Sequence, residues 1–214
     1  MNAVVSIVQP VDTVPDPVTP EDAARAAFYG LIARLFVAPA DAELLRALGP
    51  SADAASDGNA EFPVAWRGLC GAASVCEPDL VAEEFEALFV GVGKPDILPY
   101  ASSYLAGFMN EKPLAQLRAD LADLGLVRQA DVKETEDHIA AICESMRHLV
   151  LDESLTQAER EARQRAFFVR HVAPWYAALC NAIEAHPAAD FFRTVARFVR
   201  AFLDLDRQAF EIEI

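Results

Sequence analysis

Residues 19–36 read Thr-Pro-Glu-Asp-Ala-Ala-Arg-Ala-Ala-Phe-Tyr-Gly-Leu-Ile-Ala-Arg-Leu-Phe. Thr19 supplies an N-cap hydroxyl, Pro20 fits the first helical position, and Glu21 and Asp22 put negative charge in the first turn, where free N–H groups favour it. Ala24, Ala27, Phe28, Leu31, Ile32, Leu35 and Phe36 then recur at helical spacing until Pro39 stops the run. The same grammar repeats downstream. A short helix through Leu44, Leu45 and Leu48 closes at Gly49; further helices are expected over 62–76 and 79–90. Leu114, Leu117, Leu121 and Leu124 form another, capped by Gly125, and Ile139, Ile142, Cys143, Met146, Leu149 and Val150 give the next its buried face. Helices over 156–171, 174–185 and 188–205 complete the set, with Pro174 at a first helical position. No alternating, β-branched run stands out. The fold expected is all-α: a single globular domain of roughly eight to ten helices, with 126–134 as the connection at which two helical halves would join. Residues 1–18, carrying Pro10, Pro15 and Pro17 without a helical period, are expected as a flexible arm ahead of a helical domain over 19–214, and 50–60 as a small, polar surface loop.

With 53% hydrophobic residues, the 214-residue chain has enough apolar matter for a sizeable core. Its formal net charge is −15, which argues against nucleic acid and against adsorption to anionic membranes. The excess is local: residues 77–99 carry net −5, residues 131–161 net −6, and 160–200 net +4. Cys70, Cys76, Cys143 and Cys180 show neither Cys-x-x-Cys nor zinc spacing, and read as free thiols in a reducing compartment. With no basic-then-apolar leader and no apolar run of about 18 residues, a cytoplasmic location without membrane insertion is the expectation.

Two segments concentrate chemistry. One is Ile97-Leu98-Pro99-Tyr100-Ala101-Ser102-Ser103-Tyr104-Leu105, a proline-bent stretch of rings and hydroxyls. The other is Glu134-Thr135-Glu136-Asp137-His138-Ile139, read as an acidic helix start. Glu134 with His138, and Glu144 with His148, suggest a di-iron helical bundle, the competing enzyme reading. That chemistry uses three-residue Glu-x-x-His spacing from two different helices, whereas here the spacing is four and the helix shared. His138 and His148 would stand about 15 Å apart along it. A Ser102/His138/Asp137 triad lacks a nucleophile elbow, and Asp137 and His138, adjacent on a helix, would point about 100° apart. Gly91-Val92-Gly93-Lys94 lacks the P-loop spacing and its Ser/Thr, and reads as a tight turn. No catalytic residue, metal or cofactor is therefore assigned. Recognition fits better: prolines lower the entropy cost of binding, Tyr100 and Tyr104 offer rigid apolar area with a hydroxyl, and Glu134, Glu136 and Asp137 can pair with guanidinium groups. The bland alternative is that Glu134 and Asp137 merely complement the helix dipole, with His138 a satisfied core residue.

In Glu84-Phe85-x-x-Leu88-Phe89-Val90-Gly91, in Pro99-Tyr100-Ala101-Ser102-Ser103-Tyr104-Leu105, in Glu134-x-x-Asp137-His138-Ile139 and in Phe167-Phe168-x-x-His171-x-x-x-Trp175, the chain resembles the TorD/DmsD/NarJ family of cytoplasmic chaperones for molybdenum enzymes, over most of residues 20–205. It departs from the family pattern at Thr135, where proline is usual, and at Ala87, Val92 and Ile142. The resemblance implies a non-enzymatic protein that binds the twin-arginine signal peptide and apo-protein of a molybdopterin-containing oxidoreductase, as a monomer or a domain-swapped dimer. It supports cofactor insertion and delays export until maturation. Such a peptide is a basic head followed by an apolar stretch. On this reading Asp137 and Glu134, helped by Glu84, meet the head. Phe85, Leu88, Phe89, Pro99, Tyr100 and Tyr104 line the groove, His138 orients its loop and Ser102 caps the following segment.

Overall fold

The computed structural model describes residues 15–49, 60–91, 93–107, 112–129 and 132–212. Thr19 accepts from the Asp22 N–H at 3.0 Å and opens α1 (Pro20–Val37), which ends ahead of Pro39. Asp41 caps α2 (Ala42–Leu48) in the same way. α3 (Glu61–Val75) and α4 (Pro78–Phe85) follow. The expected helix over 79–90 is α-helical only to Phe85; Glu86–Val90 forms a π-helical turn, ended by Gly91 at φ 64°. Gly91 suits the place: its backbone is left-handed, and a Cβ there would meet the Lys94 carbonyl oxygen at 2.9 Å. The short α5 (Ala101–Leu105) and α6 (Lys112–Asp123) precede α7 (Ile139–Val150). α8 (Gln157–His171) begins with a complete capping box between Thr156 and Glu159. α9 (Tyr176–Ala185) starts two residues after Pro174, because residues 172–175 form a turn that holds Trp175 inside. α10 (Phe191–Ile212) runs past the expected end at 205. The described residues thus hold ten α-helices and no strand, the all-α single domain expected.

α1 packs along α7, and α10 packs on α3, α9 and α4. Phenylalanines fill the spaces between them. Phe28 meets Phe62 and Trp66 of α3 and Phe198 and Phe202 of α10, with centroids 5.1–5.9 Å apart. Phe36, Phe85, Phe89 and Phe192 form a second cluster. Each such ring contributes about 1.5–3 kcal/mol by leaving water. Between α1 and α10, Asp206 is almost wholly buried; it accepts from the Arg25 Nε at 3.0 Å and from the Tyr29 hydroxyl at 2.6 Å, so the buried charge is paired.

The arm expected over 1–18 and the loop expected over 50–60 fall largely outside the described residues. Asp16 and Pro17, which are described, are tied to the start of α8: the buried Arg160 guanidinium donates to their carbonyls at 2.6 and 3.2 Å, and the Gln157 N–H donates to the Asp16 carboxylate at 2.9 Å. No helix among the described residues is long and apolar enough to cross a membrane. Cys70, Cys76, Cys143 and Cys180 are free thiols, and burial pushes the Cys70 thiol up to about 11.

Candidate functional site

The two segments singled out in the sequence are joined. Pro99 and Tyr100 pair with His138 and its neighbours as an isolated antiparallel bridge: the Ala101 N–H donates to the Asp137 carbonyl, and the Ile139 N–H to the Pro99 carbonyl, each at 2.9 Å. The Tyr100 ring lies edge-on to the His138 ring with centroids 4.9 Å apart, and its hydroxyl donates to Glu134. Burial, then the bond to Glu134 and its charge, hold the Tyr100 hydroxyl well above its ordinary pKa, so it stays a donor.

Glu134, Thr135, Glu136 and Asp137 do not lie on a helix, contrary to the expected helix start; α7 begins at Ile139 and His138 is its N-cap. The His138 Nδ1 accepts from the Ala140 N–H at 3.1 Å, so the ring proton sits on Nε2. Burial, against the opposing charges of Glu134 and Asp137, pushes its pKa down to about 4, and the ring is neutral at ordinary pH. Asp137 is 1% exposed. One of its oxygens accepts from the Ser102 N–H at 3.1 Å and the Ser102 hydroxyl at 2.5 Å; the other accepts from the Thr135 hydroxyl at 2.6 Å. The side chain expected at a basic peptide head thus faces inward and serves the first turn of α5, whose orphan N–H groups need an acceptor. The cap runs from Asp137 to Ser102, not from Ser102 outward.

Glu84 is drawn inward in the same way. Its carboxylate accepts from the N–H groups of Asp190, Phe191 and Phe192 at 2.8–3.0 Å and so caps the start of α10. Phe85, Leu88 and Phe89, expected along a groove, belong to the phenylalanine core. Tyr104 stacks on Trp175 at 5.7 Å, and the Trp175 Nε1 donates to the His171 carbonyl. His171 in turn meets Asp120 of α6 at 2.6 Å, so this last motif fastens α5 and α6 to α8. Of the eleven residues proposed for the site, the structure brings Glu134 and His138 to an open cleft, with Tyr100 directly behind them.

That cleft, of about 580 Å³, lies between α1, α7 and the chain leading from α6 into α7. Its floor is apolar: Ala33 and Val37 from α1, Leu121 from α6, Leu126 just after it, and Ala140 and Ala141 from α7. Val37, Val127 and Val132 stand 58, 89 and 39% exposed around it, a large apolar outlay for a protein surface. Glu134, Glu136 and Glu144 provide carboxylates along the same walls, with Arg34 and Arg128 beside them. Burial works to raise the Glu136 carboxyl, but the Arg118 hydrogen bond and the charges of Arg118 and Arg128 outweigh it and hold its pKa below the usual range. Glu144, weighed in the sequence only as a metal ligand, and the α1 wall were not expected at this site. Their signal was faint: Glu144 and His148 repeat the four-residue spacing on the face of α7 opposite Ile142 and Met146, and Gly30 and Ala33 keep α1 low there. Among the described residues no group of three or more His, Cys, Asp or Glu side chains is placed to hold a metal ion, so the di-iron reading finds no ligand set there.

An all-helical chain with an acidic, apolar-floored cleft has the makings of a binding protein. The chain belongs to the nitrate reductase delta subunit family, the TorD/NarJ family, whose pattern matches residues 56–181. Proteins named Chaperone protein TorD are similar to it. The one from Photobacterium profundum is 29% identical over 133 residues, 59% of this chain and 62% of that protein. The one from Vibrio atlanticus is 30% identical over 138 residues, 60% of this chain and 63% of that protein. The one from Aliivibrio fischeri is 27% identical over 133 residues. The matches span a little over three-fifths of the length of these relatives.

Proposed function

We propose that this protein is a cytoplasmic, non-enzymatic maturation chaperone that binds the twin-arginine signal peptide and the apo-protein of a molybdopterin-containing oxidoreductase, supports cofactor insertion and delays export. Family membership and the chaperone names of its relatives support the class. The observation that carries the peptide reading is the cleft between α1 and α7, where Glu134, Glu136 and Glu144 stand beside an apolar floor. A twin-arginine peptide has the matching order of parts. Its guanidinium groups find carboxylates, bidentately where the fork geometry allows, and its apolar stretch covers the valines that water otherwise wets. While the peptide lies there, its basic head is hidden from any export receptor, and release of the peptide ends the delay.

The protein's own groups prepare this binding. The neutral His138 places an N–H donor in the cleft wall without adding a charge that would repel arginine. Tyr100 occupies one oxygen of Glu134 and fixes its carboxylate, so less side-chain entropy is lost when a guanidinium arrives. Isothermal titration of the intact protein with a synthetic twin-arginine peptide tests the reading. Saturable binding is expected, weakened by added salt and by Glu134→Gln with Glu144→Gln. Indifference to both, or a peptide with paired lysines binding equally well, refutes it.

A further inference from the structure

Glu136 already holds guanidinium groups, and both are the chain's own. The Arg118 Nε, from α6, donates to one oxygen, Oε2, at 2.9 Å, and the Arg118 NH2 nitrogen forms an ion pair with the same oxygen at 2.8 Å. The other oxygen, Oε1, is approached by the Arg128 Nε at 3.6 Å, beyond good hydrogen-bond distance. Arg128 is anchored elsewhere, with its NH1 donating to the Val132 carbonyl at 2.5 Å. Both Arg128 and Glu136 line the cleft, whereas Arg118 is not among its lining residues. Glu136 therefore has one oxygen firmly engaged from behind and one loosely covered from within the cleft. The Glu136 side chain is only 14% exposed and the Arg128 side chain 38%, and no hydrogen bond joins Arg128 to the carboxylate, so Arg128 is the partner that an incoming group can displace.

We infer that Glu136 is the carboxylate that receives an arginine of the bound peptide, through Oε1, and that Arg128 keeps that place in the ligand-free protein. The inference rests on the signal-peptide reading above and sharpens it: an incoming guanidinium exchanges with one already present, and the carboxylate is never left bare. Arg128 thus sets a threshold. A lone lysine, lacking the planar fork, gains little by displacing it, whereas an arginine that also spans to Glu134 does. An ion pair this loose, with one partner open to solvent, is worth little, so the threshold is modest, about two- to fivefold in affinity.

The test is a double-mutant cycle by titration calorimetry, using the full chain and a synthetic twin-arginine peptide, with circular dichroism melts to show that each variant is folded. Arg128→Gln is expected to tighten binding by about two- to fivefold. Glu136→Gln is expected to weaken it, and Arg128→Gln is expected to bring no gain in the Glu136→Gln background. A gain that persists in that background is a general charge effect and overturns the inference, as does an Arg128→Gln variant that binds no tighter than the wild type. Should the wild-type chain bind no peptide at all, the signal-peptide reading falls and this inference with it; the other two outcomes leave that reading standing.

Discussion

Substituting His138 by asparagine should flatten the acid side of the stability profile. Asparagine is itself a good N-cap and can accept from the Ala140 N–H as the imidazole does, so the substitution chiefly removes a titrating group. In the fold the ring protonates near pH 4, because it is 4% exposed and burial opposes the charged form. In the unfolded chain it protonates near pH 6.5, the ordinary value. Between those two values the unfolded chain holds the proton and the folded one does not, so stability falls as pH falls. Integrated from pH 7 to pH 5, the difference is about 2 kcal/mol. Every other titrating group is present in both proteins, so the comparison isolates one ring. Urea unfolding followed by circular dichroism at the two pH values measures it. The wild type should lose about 2 kcal/mol more than His138→Asn over the interval. Equal losses would show that the ring is not held neutral and that its burial is relieved in solution.

Other outcomes follow from the same contacts. Glu84→Ala removes the acceptor for three N–H groups at the start of α10 and should cost about 1–2 kcal/mol in urea unfolding. Asp137→Ala strands the Ser102 hydroxyl and N–H in the interior and should cost about 3 kcal/mol, with Asp137→Asn, which keeps an acceptor, in between. Ala141→Trp fills the cleft from α7; peptide binding should fall by more than about tenfold while the thermal midpoint stays within a few degrees, since the site is open to solvent.

The helices were legible because their signals are local. Thr19 with Pro20, the leucine period of α6, and Gly125 after it each act within one or two turns, and the structure uses them as read. Glu84 and Asp137 were misjudged for the opposite reason. An acid near a helix end looks the same whether it serves that helix, another helix or a ligand, and only the tertiary arrangement shows that Glu84, in the last turn of α4, reaches α10 and that Asp137, just before α7, reaches α5. Phe85, Leu88 and Phe89 carried the same ambiguity, since a groove and a core want the same side chains. The cleft escaped because α1 comes from about a hundred residues away from its other walls, the end of α6 and α7, and half of its floor is alanine, which leaves no mark in a sequence. His138 caps α7 through its ring nitrogen, a contact that has no sequence signature.

The bridge between Tyr100 and His138 also makes the stretch from Ala101 to Asp137 a closed excursion, leaving and rejoining the helical body at nearly one point. Its ends are held by backbone hydrogen bonds and by the Ser102–Asp137 contacts, so they do not depend on the chain in between to stay together. A protease nick after Val127, which is 89% exposed, would therefore cut the chain without releasing its parts. The same opening is a natural place for a circular permutant, with new termini at Val127 and Arg128. Such a permutant would free Arg128 from its continuous backbone while leaving α1, α7 and the apolar floor between them in place.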